Sequence, residues 1–278
     1  MVYTPDGSDG CVEYIGASAD TSNPYESQDI FNEYMTLHFA PPELQMPYSF
    51  GPKDATSYPQ RCADLVTDWC RKLGISKGKA LDVACAVGAA TFRMAESFEH
   101  VIGVDLSRRF IEAASELRDK HELEFNAKVE GNILSKQKAI VTPGAAARTE
   151  FRQADACALP AEYSDFDAVL LANLLCRLVS PGACLSRMWG SRGIVRPGGL
   201  LVTVSPYTWM EKFTPRDVWL GGYKDENGTP RYSEDGLKEM LGEHFELLDT
   251  HDVPLIIREH RRKYQYIVSQ AMIWQRRK

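Results

Sequence analysis

Three carboxylates follow one another along the chain in a pattern suited to a nucleoside-binding crevice. The first, Asp82, stands in Ala80-Leu81-Asp82-Val83-Ala84-Cys85-Ala86-Val87-Gly88, an apolar run that opens into very small residues. Small side chains let a ligand approach the backbone, and such a loop after a first parallel strand is where α/β sheets bind ligands. The second, Asp105, ends Val101-Ile102-Gly103-Val104-Asp105 and is followed by Leu106. A carboxylate there can accept hydrogen bonds from both hydroxyls of a ribose. The third, Asp155, ends a further strand-like run in Gln153-Ala154-Asp155-Ala156. Asp82 beside the loop suits a ligand whose nearby end is cationic, because a dinucleotide's pyrophosphate would be repelled. Where glycine is common in such loops this chain has Ala84 and Ala86, leaving Gly88. Alanine tolerates a left-handed backbone poorly. The loop is therefore expected either to avoid positive φ at both alanines or to bind its ligand more weakly.

Positioning three such acids requires alternating strands and helices. Apolar runs at 79–84, 100–106, 151–155, 166–173 and 198–207 read as strands, with helices expected over 88–97, 108–120 and 180–194. That alternation implies parallel βαβ units in a sheet covered on both faces. Two later runs, HFELLDTHDV and YQYIVSQAMIW, read as strands that extend the sheet antiparallel at its edge. Upstream, residues 26–39 place Ile30, Phe31, Tyr34, Leu37 and His38 on one helical face, and 60–73 form a second amphipathic helix ending at Gly74. The stretch from Pro41 to Pro59 reads as an irregular loop able to lie over a pocket. Residues 121–150 show no clear period and read as an insertion. The organisation expected is a flexible tail over 1–22, an N-terminal lid with helices over 23–78, and a ligand-binding core over 79–278, together a single domain.

With Asp82, Asp105 and Asp155 in this order, and the turn Arg196-Pro197-Gly198-Gly199 before the fifth strand, the chain resembles class I S-adenosylmethionine-dependent methyltransferases. The fold implied is Rossmann-like α/β, a mostly parallel seven-stranded sheet with an antiparallel edge strand and an N-terminal helical lid. A narrower resemblance is to the methyltransferases of ovothiol biosynthesis, which also occur as the C-terminal domain of larger thiohistidine-forming enzymes. It is carried by Asn23-Pro24-Tyr25-Glu26, Leu37-His38-Phe39, Arg61-Cys62-Ala63 and Leu81–Gly88. Further on it is carried by Ala172-Asn173-Leu174-Leu175-Cys176-Arg177-Leu178, Ser205-Pro206-Tyr207-Thr208-Trp209, Trp219-Leu220-Gly221-Gly222 and Ile257-Arg258-Glu259-His260 through Trp274. The resemblance implies methyl transfer from S-adenosylmethionine, leaving S-adenosylhomocysteine, to the side-chain-proximal ring nitrogen of 5-thiohistidine. The partners it implies are a small amino-acid substrate and a thiohistidine-forming sulfoxide synthase of the same pathway.

The site of such an enzyme needs groups for both reactants. Asp82, Ala84, Gly88, Asp105, Leu106, Asp155, Ala156 and Asn173 are expected at the cofactor, with Arg61 clamping its carboxylate. Asn173, His38 and Tyr207 are the candidates for the chemistry: Asn173 beside the methyl, His38 as base or orienting group, Tyr207 stacked on the acceptor ring. Tyr25, Glu26, Tyr207 and Arg258 are expected on the acceptor, Glu26 at its ammonium and Arg258 at its carboxylate. Other readings remain open at this point: a different small-molecule N-, O- or S-methyltransferase, a non-catalytic S-adenosylmethionine-binding regulator, or a nicotinamide dehydrogenase.

Bulk properties narrow the classes. The 278 residues are 44% hydrophobic and 25% charged, an ordinary globular balance. A net charge of -6 argues against nucleic acid as the main partner, although Arg258, Arg261, Arg262, Lys263, Arg276, Arg277 and Lys278 make the C-terminal end locally basic. The seven cysteines include no CxxC pair, so neither a disulfide framework nor a metal site is expected, and a reducing cytoplasm is the expected location. No basic-then-apolar signal pattern opens the chain and no run is long enough to span a membrane, so no membrane partner is expected.

Overall fold

The computed structural model describes residues 23–278; the tail expected over 1–22 lies outside them. Helices α1 (Gln28–Phe39), α2 (Pro42–Gln45) and α3 (Tyr58–Leu73) precede β1 (Lys79–Val83), α4 (Ala89–Ala95), β2 (His100–Asp105) and α5 (Arg108–Lys120). Then come β3 (Glu122–Glu130), β4 (Ile133–Ile140), α6 (Pro143–Ala146), β5 (Thr149–Gln153), β6 (Phe166–Ala172), α7 (Pro181–Ser186) and β7 (Val195–Ser205). The chain ends with β8 (Tyr223–Lys224), β9 (Pro230–Arg231), α8 (Ser233–Leu241), β10 (Phe245–His260) and β11 (Lys263–Arg276).

The main sheet has seven strands in the order β10-β11-β7-β6-β1-β2-β5. From β7 to β5 neighbours are parallel, while β11 runs antiparallel to both β7 and β10. This is the expected Rossmann-like sheet with antiparallel pairing at one edge. In β6 and β7 nearly every residue is buried, as parallel strands covered on both faces require.

Three local expectations are corrected. The helix expected over 180–194 stops at Ser186, because Gly190 takes φ 91° and Gly193 has no room for a side chain beside Trp189. The insertion at 121–150 contains the antiparallel hairpin β3–β4, turned at Gly131, and packs on α1. Its alternation is hidden because Ile133, Leu134 and Ile140 point outward. The loop expected over 41–59 contains α2 as well as irregular chain, and α8, which buries Leu237 and Leu241, escaped the sequence reading. The helices of 23–78 and the sheet share their packing. Cys62, Ala63, Val66 and Cys70 of α3 lie in one core with Ala80, Leu170 and Val202 of the sheet. Among the described residues no helix is long and apolar enough to cross a membrane.

Candidate active site

A cavity of about 990 Å³ opens at the carboxyl ends of β1, β2, β5 and β6. Parallel strands end on the same side of a sheet, so their last side chains and following loops converge there. Asp82 lines it, 2% exposed, and accepts the Thr91 hydroxyl at 2.7 Å. Burial raises its carboxyl to about 7, with the Thr91 hydroxyl pulling the other way. The following loop takes positive φ three times: 64° at Ala84, 47° at Ala86 and 91° at Gly88. Of the two expected alternatives, avoidance of positive φ at both alanines is thereby excluded, which leaves weaker ligand binding as the expected consequence. The loop keeps small residues for space as well as for φ, since a side chain at Gly88 would meet the Phe151 ring at 2.8 Å.

Asp105 holds that loop from the neighbouring strand. Its Oδ2 accepts the Ala86 N–H at 2.9 Å and its Oδ1 the Ser107 N–H at 2.8 Å. Burial lifts its carboxyl to about 6, partly offset by these N–H groups. Each carboxylate oxygen retains a second lone pair for a ribose hydroxyl. Asp155 lines the same wall with Leu106 and Ala156, its Oδ1 accepting the Cys157 N–H at 2.8 Å. Among the described residues none of these three carboxylates has a cation partner.

The opposite wall is built of donors. Asn173 follows β6 at φ 53°, and its Oδ1 accepts the Tyr58 hydroxyl at 2.8 Å and the Ser269 hydroxyl at 2.9 Å. Two acceptances fill the two lone pairs of an amide oxygen, so the Asn173 amide can only donate to a further group. His38, on α1, accepts the Ala89 N–H on Nδ1 at 3.3 Å. Its remaining proton therefore sits on Nε2. Burial pushes this imidazole down to about 3. Arg177 and Lys212 bring positive charge, their charged groups 5.1 and 4.8 Å from the centre of the Phe213 ring. Tyr25 closes this side on a turn capped by Asn23, its ring edge-on to Tyr34 at 5.8 Å.

Residues 81–203 match the family described as the methyltransferase domain. The chain carries a methyltransferase domain. Among solved structures, one described as the conversion of a disulfide bond into a thioacetal group during echinomycin biosynthesis is 18% identical, covering 90% of this chain and 93% of that chain, with a TM-score of 0.51. A SAM-dependent methyltransferase from Methanosarcina mazei is 18% identical, covering 73% of this chain and 94% of its own, with a TM-score of 0.47. The first of these is a likeness of fold. No curated protein matches the sequence.

The methyltransferase uses S-adenosylmethionine and releases S-adenosylhomocysteine. The residues present fit that ligand. Asp82 is a buried carboxylate with no cation of its own. The ligand's ammonium and sulfonium would supply the missing charge, Asp105 the ribose acceptors, and Asp155 an acceptor for the adenine amine. A nicotinamide dinucleotide would bring a pyrophosphate toward Asp82 instead.

Of the expected site residues, Tyr25, Glu26, His38, Asp82, Ala84, Asp105, Leu106, Asp155, Ala156 and Asn173 line the methyltransferase cavity. Gly88 lies behind it, where it starts α4. Three others are corrected. Arg61 donates to the carbonyls of Thr56 and Pro254 and so ties α3 to β10, not to a ligand carboxylate. Tyr207 turns toward β11, its hydroxyl donating to Gln270 at 2.8 Å. Arg258 is buried on the far side of α1, donating to the carbonyls of Leu44 and Lys128. The Glu26 carboxylate accepts the Arg109 N–H at 3.4 Å, and its charge helps raise Asp105. His38 as a general base is also corrected, because its one basic nitrogen is engaged by Ala89 and its burial disfavours the cation.

Sequence reasoning gave no role to Tyr34, Tyr58, Arg177, Lys212 or Ser269. Arg177 stood inside the Ala172–Leu178 segment directly after a strand, a place that could have drawn attention. Lys212 and Ser269 carried no signal, one in an irregular segment and the other in the last strand of the sheet.

Proposed function

We propose that this methyltransferase N-methylates 5-thiohistidine on the ring nitrogen nearest the amino-acid side chain, giving ovothiol. The observation that carries the reading is convergence. Tyr25, His38, Cys62, Asn173, Arg177 and Ile257, each from a different segment or end of a segment that carries the family resemblance, all line the one cavity that holds the cofactor acids. The donor-only wall also suits a substrate rich in lone pairs, with a carboxylate, a thiolate and a ring nitrogen.

Bound S-adenosylmethionine supplies an electrophilic methyl carbon on its sulfonium sulfur. The acceptor nitrogen attacks with its own lone pair while the carbon–sulfonium bond breaks toward sulfur, so the step itself moves no proton. The wall opposite the carboxylates offers no base: His38 Nδ1 and both lone pairs of Asn173 Oδ1 are engaged. What these residues do is orient. Tyr58 and Ser269 hold the Asn173 amide, Ala89 holds His38, and alignment of donor and acceptor supplies much of the rate. A thiohistidine-forming sulfoxide synthase in the same cytoplasm would supply the acceptor.

The experiment is mass spectrometry of products formed from S-adenosylmethionine with histidine, 5-thiohistidine and related imidazoles. N-methylated 5-thiohistidine as the main product is expected, with histidine poorer by about tenfold to a hundredfold, because unmatched buried donors cost about 1–3 kcal/mol each. Methylation on sulfur, or equal kcat/KM for histidine, would overturn this reading and favour another small-molecule methyltransferase.

A further inference from the structure

The cavity lining carries charges of both signs. Asp82, Asp105 and Asp155 come from the ends of β1, β2 and β5. Arg177 and Lys212 line the same cavity. These two residues belong to separate parts of the chain, Arg177 to the turn after β6 and Lys212 to the irregular segment after β7. They meet over one ring, Phe213, at 5.1 and 4.8 Å. Among the described residues neither is paired with a carboxylate.

The Arg177 side chain is also held in place. Its Nη1 donates to the carbonyls of Thr208 at 2.7 Å and Cys176 at 3.0 Å. Those bonds fix the plane of the guanidinium and leave Nε and Nη2 without a carbonyl or carboxylate acceptor among the described residues. A fixed guanidinium presenting further N–H groups is matched by a planar carboxylate, which it can bind through two parallel bonds. Tyr25 shares this group: burial raises its hydroxyl, and the Arg177 charge together with a side-chain hydrogen bond to Arg177 partly offsets that rise, so an arriving carboxylate binds beside the tyrosine hydroxyl or displaces it. Lys212 is exposed at the mouth, where a mobile point charge can draw an anion in. A chain of net charge -6 repels anions at long range, so an anionic acceptor needs such a local attraction.

We propose that Arg177 and Lys212 form the anion site that receives the α-carboxylate of an amino-acid acceptor, Arg177 as the planar clamp and Lys212 as the entry charge. The assignment rests on the reading of the acceptor as an amino acid. The ring thiolate of the same molecule is a second anion, and substrates that lack one or the other separate the two sources.

The test is calorimetry on the protein loaded with S-adenosylhomocysteine, titrated with 5-thiohistidine, with its decarboxylated amine 5-thiohistamine, and with histidine and histamine. Wild type is expected to bind each acid about 10- to 100-fold more tightly than its amine, the range for hydrogen bonds to charged groups. Arg177→Gln should remove most of that preference and Lys212→Gln should reduce it several-fold, with S-adenosylhomocysteine affinity unchanged in both. Lys212 is exposed, so its variant tests the idea even if Arg177→Gln folds poorly. Equal affinity for acid and amine in wild type overturns the site, as does equal loss of both in the variants. A preference in wild type that follows sulfur and not the carboxylate overturns it too. If 5-thiohistidine is neither bound preferentially nor methylated while histidine still outbinds histamine, the proposed acceptor falls and the carboxylate site stands.

Discussion

The two ends of the cavity are held by different kinds of structure. At the cofactor end each acid terminates a strand or the short turn after it, in a sheet whose β1, β2 and β6 neighbours are in parallel register, Asp82 beside Gly103 and Leu170. Backbone geometry alone brings those side chains together. At the acceptor end the groups come from α1, α3, the turn after β6, the segment after β7, and β11, and side-chain hydrogen bonds join them. Asn173 reaches Tyr58 and Ser269, 115 and 96 residues away along the chain. One end is thus a property of the sheet and serves any reaction of the cofactor. The other is assembled from long-range pairs, and under the proposed function acceptor choice resides there.

That division can be broken most directly at Asp82. Asp82→Asn keeps the shape and removes the charge, and should weaken S-adenosylmethionine binding by about 3 kcal/mol or more, as for one lost partner of a buried pair. Calorimetry should show S-adenosylhomocysteine weakened as well but by less, since it keeps the ammonium and lacks the sulfonium, and acceptor binding affected least. A folded variant with unchanged S-adenosylmethionine affinity removes Asp82 from the cofactor end.

The same carboxylates should make cofactor binding depend on pH. Asp82 at about 7 and Asp105 at about 6 both lie above the ordinary carboxylate range because they are buried. Groups with raised values stabilise the unliganded fold most at acid pH, and that contribution is lost as pH rises through 6 to 7. A cationic ligand favours the ionised forms, so S-adenosylmethionine affinity should rise with pH across this window and binding should release protons. Below the midpoint of a linked group the change approaches about tenfold per pH unit. Titration in buffers of different ionisation enthalpy reads the proton release; none at pH 6 would contradict the linkage.

Asp105→Ala should weaken the cofactor by roughly 1.5–3 kcal/mol through the ribose hydroxyls. It also frees the Ala86 and Ser107 N–H groups, so hydrogen exchange in the loop should speed up. Arg258→Met sharpens the contrast from the other side. The carbonyls of Leu44 and Lys128 lose their donor, and stability should fall by about 1–3 kcal/mol in denaturant unfolding. The acceptor KM should stay as it was; a raised KM with unchanged stability would return Arg258 to the substrate. The smallest effect is at Ala84. Ala84→Gly relieves a left-handed alanine worth about 1 kcal/mol and loses part of that to the freer unfolded chain. The melting temperature should stay level or rise slightly.

Much of the cofactor end was legible because it is local. The β1 run into Ala84–Gly88, the acid closing β2 and the Gly74 cap of α3 are each short patterns whose geometry follows from their own residues. Even there, positive φ at Ala84 and Ala86 was not readable: the Asp105 oxygen that anchors the Ala86 N–H comes from the neighbouring strand. The hairpin β3–β4 was hidden for the opposite reason, since its outward apolar residues blur the alternation that marks a half-buried strand.

The arginines show the limit most clearly. Arg61, Arg177 and Arg258 are alike as residue types, and each follows or precedes a recognisable element. The sequence by itself determined the strand and helix order, the three acids at the strand ends and the polar character of the segments near them. Only the tertiary structure decided that Arg61 and Arg258 spend their donors on the carbonyls of Pro254, Leu44 and Lys128 while Arg177 faces the cavity. It likewise decided that Asn173 is a donor and His38 a neutral one. A long polar side chain takes its role from the partner that packing brings to it, and those partners lie tens to hundreds of residues away.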